Sequence, residues 1–144
     1  MNTNPHSFRA WLVRSGMIAA LVLGGVTAAG CHGDEDGHEV ATGALCPSGP
    51  TASTLTYTNF GKAFFDGYCQ RCHASAVTGA ARNGAPTDHV FDTRADIFTN
   101  KEHIDENAAA GPNAVNTAMP PSAPTPSESE RQKLGEWLAC GAPE

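Results

Sequence analysis

The sequence predicts an all-α fold gathered around something its own side chains do not supply. Three observations point there. From Cys46 to Glu144 only 13 of 99 residues are Leu, Ile, Val or Phe, below the roughly 20% at which a charged chain reads as disordered. The apolar residues in that span recur at helical spacing between recognisable caps. The span also carries the run Cys69-Gln70-Arg71-Cys72-His73.

Composition sets the outer bounds. The chain has 144 residues, a formal charge of −6 and 40% hydrophobic residues, but 23 of those residues are Ala. A large conventional core is excluded, and so are a multidomain enzyme, a polytopic membrane protein and a basic nucleic-acid binder. The remaining segment is either unfolded or folded around a body that the composition does not show.

Residues 1–30 read as an export signal. Arg9 and Arg14 are the only charged side chains before Cys31, and an apolar run from Gly16 to Val26 leads into Thr27-Ala28-Ala29-Gly30-Cys31. A basic start, a short apolar stretch and a small-residue site make a secretory signal. The ending resembles the lipobox of bacterial lipoproteins. That resemblance implies cleavage before Cys31, lipid on its thiol, and a membrane-anchored protein facing the periplasm or the cell surface. An ordinary signal peptide and an uncleaved anchor are the alternatives. Loss of Arg9 and Arg14 shifts the charge from −6 to −8.

Residues 31–50 read as a flexible tether. His32-Gly33-Asp34-Glu35-Asp36-Gly37-His38-Glu39 is acidic and lacks an apolar period, the pattern of a disordered spacer. His32 and His38 are weak metal ligands without a scaffold. Residues 51–144 form the expected domain.

The Cys69–His73 run is the attachment signature of a c-type haem. Cysteines at i and i+3 share one face of a helical turn, so both sulfurs can bond one edge of a porphyrin. His73 then lies where an imidazole reaches the iron. A redox dithiol would expect βαβ surroundings. A zinc site would need two more ligands, and no second C-x-x-C or H-x-x-x-H is present. One motif implies one covalent haem c.

The flanks supply the helices. Phe60, Ala63, Phe64, Gly67 and Tyr68 recur at helical spacing, with Thr58 or Asn59 as N-cap. Asp92 or Thr93 caps a second helix to about Ala109, with Ile97, Lys101, Ile104 and Ala108 on one stripe. Thr125-Pro126-Ser127-Glu128 reads as a capping box with Pro at the first helical position. The third helix then runs through Leu134, Trp137 and Leu138 to Gly141.

Gly61 lies eight residues before Cys69 and Phe65 four before it, and Leu134 and Trp137 sit on the last helix. From about Leu55 to Gly141 the chain resembles class I monohaem cytochrome c. The resemblance implies three main helices and long loops wrapped on the haem, with the first and last helices crossing at these residues. Gly61 and Gly135 would let the two backbones approach. Met119, the only methionine after residue 30, precedes Pro120-Pro121 and resembles that family's distal ligand loop. His89 and His103 are rival ligands. The family also places a proline carbonyl on the proximal imidazole, and Pro86, 13 residues after His73, is the candidate.

Cys46 and Cys140 flank the two helices expected to cross, so an intramolecular disulfide is expected; pairing between chains, or free thiols, is the alternative. The resemblance implies one-electron transfer between protein redox partners, with no enzyme activity. A haem sensor or peroxidase-like domain with an open or labile sixth position, and a structural lipoprotein, are the alternatives.

Overall fold

The first helix is capped at Thr56, two residues before Thr58 and three before Asn59, the predicted caps. Thr56 Oγ1 accepts from Asn59 N–H at 3.1 Å, and Asn59 Oδ1 accepts from Thr56 N–H at 2.8 Å. Asn59 is therefore the far side of a capping box whose near side is Thr56. The opening turn, Tyr57–Gly61, is wide: Gly61 N–H reaches Thr56 O, five residues back, at 3.1 Å. It runs into α1 (Lys62–Tyr68), and after Cys69 the chain takes one further turn, α2 (Gln70–His73).

These coordinates come from a computed structural model that describes residues 40–49 and 52–144. Among those residues the regular structure is helical and no strand forms; Ala110 and Val115 make an isolated antiparallel bridge. The all-α expectation holds at that level. The segment 1–30, Cys31, His32 and His38 lie outside the described residues. No described helix is long and apolar enough to cross a membrane.

The second predicted helix forms as two. Thr93 caps it, with a reciprocal bond to Asp96, as expected. It breaks at Asn100 into α3 (Arg94–Thr99) and α4 (Lys101–Ala108). Asn100 Nδ2 donates to Asp96 O at 2.9 Å, and Asn100 N–H is shared between Asp96 O and Ile97 O. An Asn side chain that competes for the last carbonyls ends a helix in this way. The predicted stripe survives the break: Ile97, Ile104 and Ala108 are buried, and Lys101 Nζ lies 5.8 Å from the Phe98 ring centre.

The last helix, α5 (Glu128–Ala139), is capped by Ser127 and Glu130 rather than by Thr125 and Glu128. Ser127 N–H donates to Glu130 Oε2 at 2.8 Å. Both pairs have the right spacing, but starting at Ser127 leaves Pro126 outside the helix with its ring buried, where its missing N–H costs nothing. At the other end Gly141 adopts φ +82°, and Ala142 N–H bonds Trp137 O at 2.9 Å. This left-handed stop is one that glycine makes without strain.

The core is aromatic. Phe65 and Trp137 are among the largest fully buried side chains, with ring centres 6.3 Å apart, and Phe91 stands edge-on to Phe65 at 5.6 Å. A Cβ on Gly61 would fall 2.8 Å from Trp137 Cζ2, so a larger residue there would displace the indole. Gly135 departs from expectation. Its close neighbours are Ala110 O, at 2.5 Å from an added Cβ, and Ala44 Cβ at 3.1 Å, not the first helix.

Residues 40–49, assigned above to the tether, pack onto the fold. Thr42 is fully buried; its N–H and Oγ1 bond the Asp105 carboxylate at 2.8 and 2.6 Å. Val40 O accepts from Asn116 Nδ2 at 2.7 Å. Cys46 and Cys140 form the expected disulfide, with Cα atoms 4.7 Å apart. The folded part thus begins before residue 51. A buried threonine hydroxyl on a carboxylate has no periodic signature, so a pattern reading passes over it.

Candidate functional site

The α1–α2 corner presents the Cys-x-x-Cys-His run as a single turn. Cys72 N–H and His73 N–H both bond Cys69 O, at 3.1 and 3.0 Å. That geometry brings Cys69, Cys72 and His73 to the wall of one cleft of about 900 Å³, measured with its open mouth. Phe64, Phe65, Phe91, Ile104 and Ala108 line it as well, and Met119, Pro120 and Pro121 complete the lining. Residues 46 positions apart in sequence, His73 and Met119, therefore share one concave surface.

Burial sets the chemistry of the sulfurs. It pushes the Cys69 thiol up to about 12, outweighing the opposite pull of the Arg71 and Arg131 cations. Burial thus favours the uncharged form of this sulfur.

His73 is 9% exposed and lies parallel to Phe91, ring centres 4.5 Å apart. Its Nδ1 bonds His89 O at 2.8 Å. A carbonyl only accepts, so Nδ1 carries the proton and Nε2 holds the free lone pair. Burial, the largest cause, holds the imidazole below its ordinary pKa. The acceptor differs from the predicted one: Pro86 O is taken by Arg82 Nη2 at 2.5 Å. The turn after Gly84 carries the chain three residues further before it passes His73.

Met119 is 38% exposed. Its N–H donates to Asn107 O at 2.9 Å, and its carbonyl accepts from Arg131 Nη1 at 2.8 Å. The Met119–Pro120 and Ala123–Pro124 peptide bonds are cis. His89 and His103 line the same cleft with ring centres 4.4 Å apart, so both rival ligands are in the neighbourhood.

Sequence reasoning missed three arginines here. Arg82 is 6% exposed and Arg131 3% exposed. Both spend their donors on backbone carbonyls, and neither is ion-paired with a carboxylate among the described residues. Arg71, inside the motif, donates to Ala123 O at 2.6 Å and to Ser122 O. It thereby joins the α2 turn to the loop beyond Met119. The signal for Arg131 was present: it falls three and seven residues before Leu134 and Leu138, on the buried stripe of α5.

Among the described residues no group of three or more His, Cys, Asp or Glu is arranged to hold a metal ion. Comparison with protein-family models, with curated proteins and with solved structures finds no match.

Proposed function

We propose that residues 40–144 form a monohaem domain of the class I cytochrome c type that carries single electrons between protein partners. In this reading the protein is exported and held at a membrane surface by lipid on Cys31, and it has no enzyme activity of its own. The convergence of Cys69, Cys72, His73 and Met119 on one apolar cleft carries the reading.

The donor set fits a covalent haem. Two thiols at i and i+3 suit the two vinyl groups of one porphyrin edge. A neutral imidazole with Nδ1 already committed to a carbonyl offers Nε2 to iron, and a thioether is a soft axial donor. When bound, the haem supplies a one-electron iron centre. Every other contribution belongs to the chain. Cys69 and Cys72 would hold the haem, and Phe91 holds the plane of His73. Phe65, Ile104 and Ala108 would keep water from it. A thioether donor in a largely apolar cleft favours the reduced state.

The test is the mass and spectrum of the protein produced with export and haem attachment enabled. The expected outcome is one haem per chain that resists acid extraction, with the weak far-red band of methionine ligation in the oxidised form. Met119→Leu is expected to abolish that band and lower the potential. A chain without covalent haem overturns the reading.

The exposure of Met119 favours a second reading, a haem sensor or peroxidase-like domain whose sixth position opens. Rapid carbon monoxide binding by the reduced protein, with no far-red band in the oxidised form, selects it over the electron carrier.

A further inference from the structure

We propose that Arg82 is a positioning residue that weakens the electron donation of His73 by sharing its carbonyl acceptor, His89 O. The inference rests on the haem reading above.

The geometry is specific. His89 O accepts from His73 Nδ1 at 2.8 Å and from Arg82 Nη2 at 3.1 Å. Arg82 is held in place by four further carbonyls. Its Nε donates to Ala85 O at 3.0 Å, its Nη1 to Ala74 O and Val77 O at 3.3 Å each, and its Nη2 to Pro86 O at 2.5 Å. Only a planar guanidinium has enough donors, in a fixed fork, to serve so many acceptors around one point. The chain carries 15 acidic residues, yet none forms an ion pair with Arg82 among the described residues.

The chemistry follows from the shared oxygen. A carbonyl that accepts the Nδ1–H of a ligating imidazole makes the ring a stronger donor to the metal. A charge-assisted bond from a guanidinium to that same oxygen draws its electron density away. The Nδ1–H bond weakens, His73 gives less charge to iron, and the oxidised state loses more than the reduced state. The same guanidinium fixes the loop that carries the carbonyl, so position and donor strength are set together.

A clamp that only holds the loop predicts the opposite sign, and the experiment reads that sign. In Arg82→Gln His89 O becomes the better acceptor. The His73 Nδ1–H resonance of the reduced, haem-loaded protein is expected to move downfield. The potential is expected to fall by an amount equal to a roughly two- to tenfold change in the reduced-to-oxidised ratio, the size of one hydrogen bond's net contribution. Arg82→Lys keeps the charge with fewer directed donors and is expected to move both readouts the same way by less; it stands in if the Gln variant does not accumulate. An upfield or rapidly exchanging Nδ1–H with an unchanged or raised potential overturns the proposal and leaves Arg82 a loop clamp. Haem content is measured on each protein first. A wild-type chain without covalent haem fails the functional reading instead, and is told apart at that step.

Discussion

At one part of the cleft wall His73 is almost fully buried, lies parallel to Phe91 and is hydrogen-bonded through its own ring. At another part Met119 is more than a third exposed and is fixed through its backbone N–H and carbonyl. The first arrangement leaves the side chain one orientation. The second fixes where the chain passes. His73 is thus held through its side chain, whereas Met119 is held through the backbone of a proline-rich loop that Arg131 and Arg71 also bond.

The largest test removes the two sulfurs proposed to hold the haem. Cys69→Ala with Cys72→Ala is expected to abolish covalent haem and leave the domain largely unfolded, because its few large apolar residues do not close a core alone. Circular dichroism reads this, and a native-like helical signal in the variant would show that the cleft stands by itself. Next comes a change that should touch neither part. Cys46→Ala with Cys140→Ala opens a loop spanning 94 residues, worth up to about 4.6 kcal/mol in the chain-entropy model. The denaturation midpoint should fall while the absorption spectrum stays unchanged.

Arg131→Met acts on the Met119 loop. It leaves Ala108 O, Asn116 O and Met119 O without their shared donor, at a cost of about 1–3 kcal/mol. It should speed carbon monoxide binding while the His73 Nδ1–H signal stays where it was; a moved signal would mean the two parts are coupled. The smallest effect is at the cap of α5. Bonds from Ser127, and from the Tyr68 hydroxyl, hold the Glu130 carboxyl below its ordinary 4.5. A depressed carboxyl contributes stability above its unfolded value, and that contribution is lost as pH falls through the folded one. Denaturation midpoints across that acid range should fall less steeply in Glu130→Gln than in the wild type.

Much of this was legible in the residues. The Thr93 cap, the Ile97–Ile104–Ala108 stripe and the Gly141 stop follow from spacing, and the Cys46–Cys140 bond was expected because the two cysteines flank helices that the resemblance makes cross. The sequence also marked Cys69, Cys72, His73 and Met119, which the fold brings to one cleft. What escaped has a common physical cause. The stripe of α5 marked Arg131 as buried, but its acceptors, like those of Arg82 and Thr42, are groups far off in the chain or carbonyls that any sequence provides. Backbone acceptors leave no trace in side-chain pattern. Pro86 shows the same limit: a carbonyl is chosen by where the loop runs, not by which residue owns it. The competing caps at Thr125 and Ser127 have identical spacing, and only burial of Pro126 separates them.

The docking of residues 40–49 also sets a distance. With the domain beginning at 51, a lipid on Cys31 would hold it on a leash of at most about 70 Å. With Val40 already fastened to Asn116, the stretch between it and Cys31 can reach at most about 30 Å at the ~3.4 Å per residue of a fully extended chain. The cleft would then sweep a shallow layer next to the bilayer, and its local concentration toward partners embedded in that membrane would rise as the layer thins. Partners in open solution would gain nothing from the same restraint.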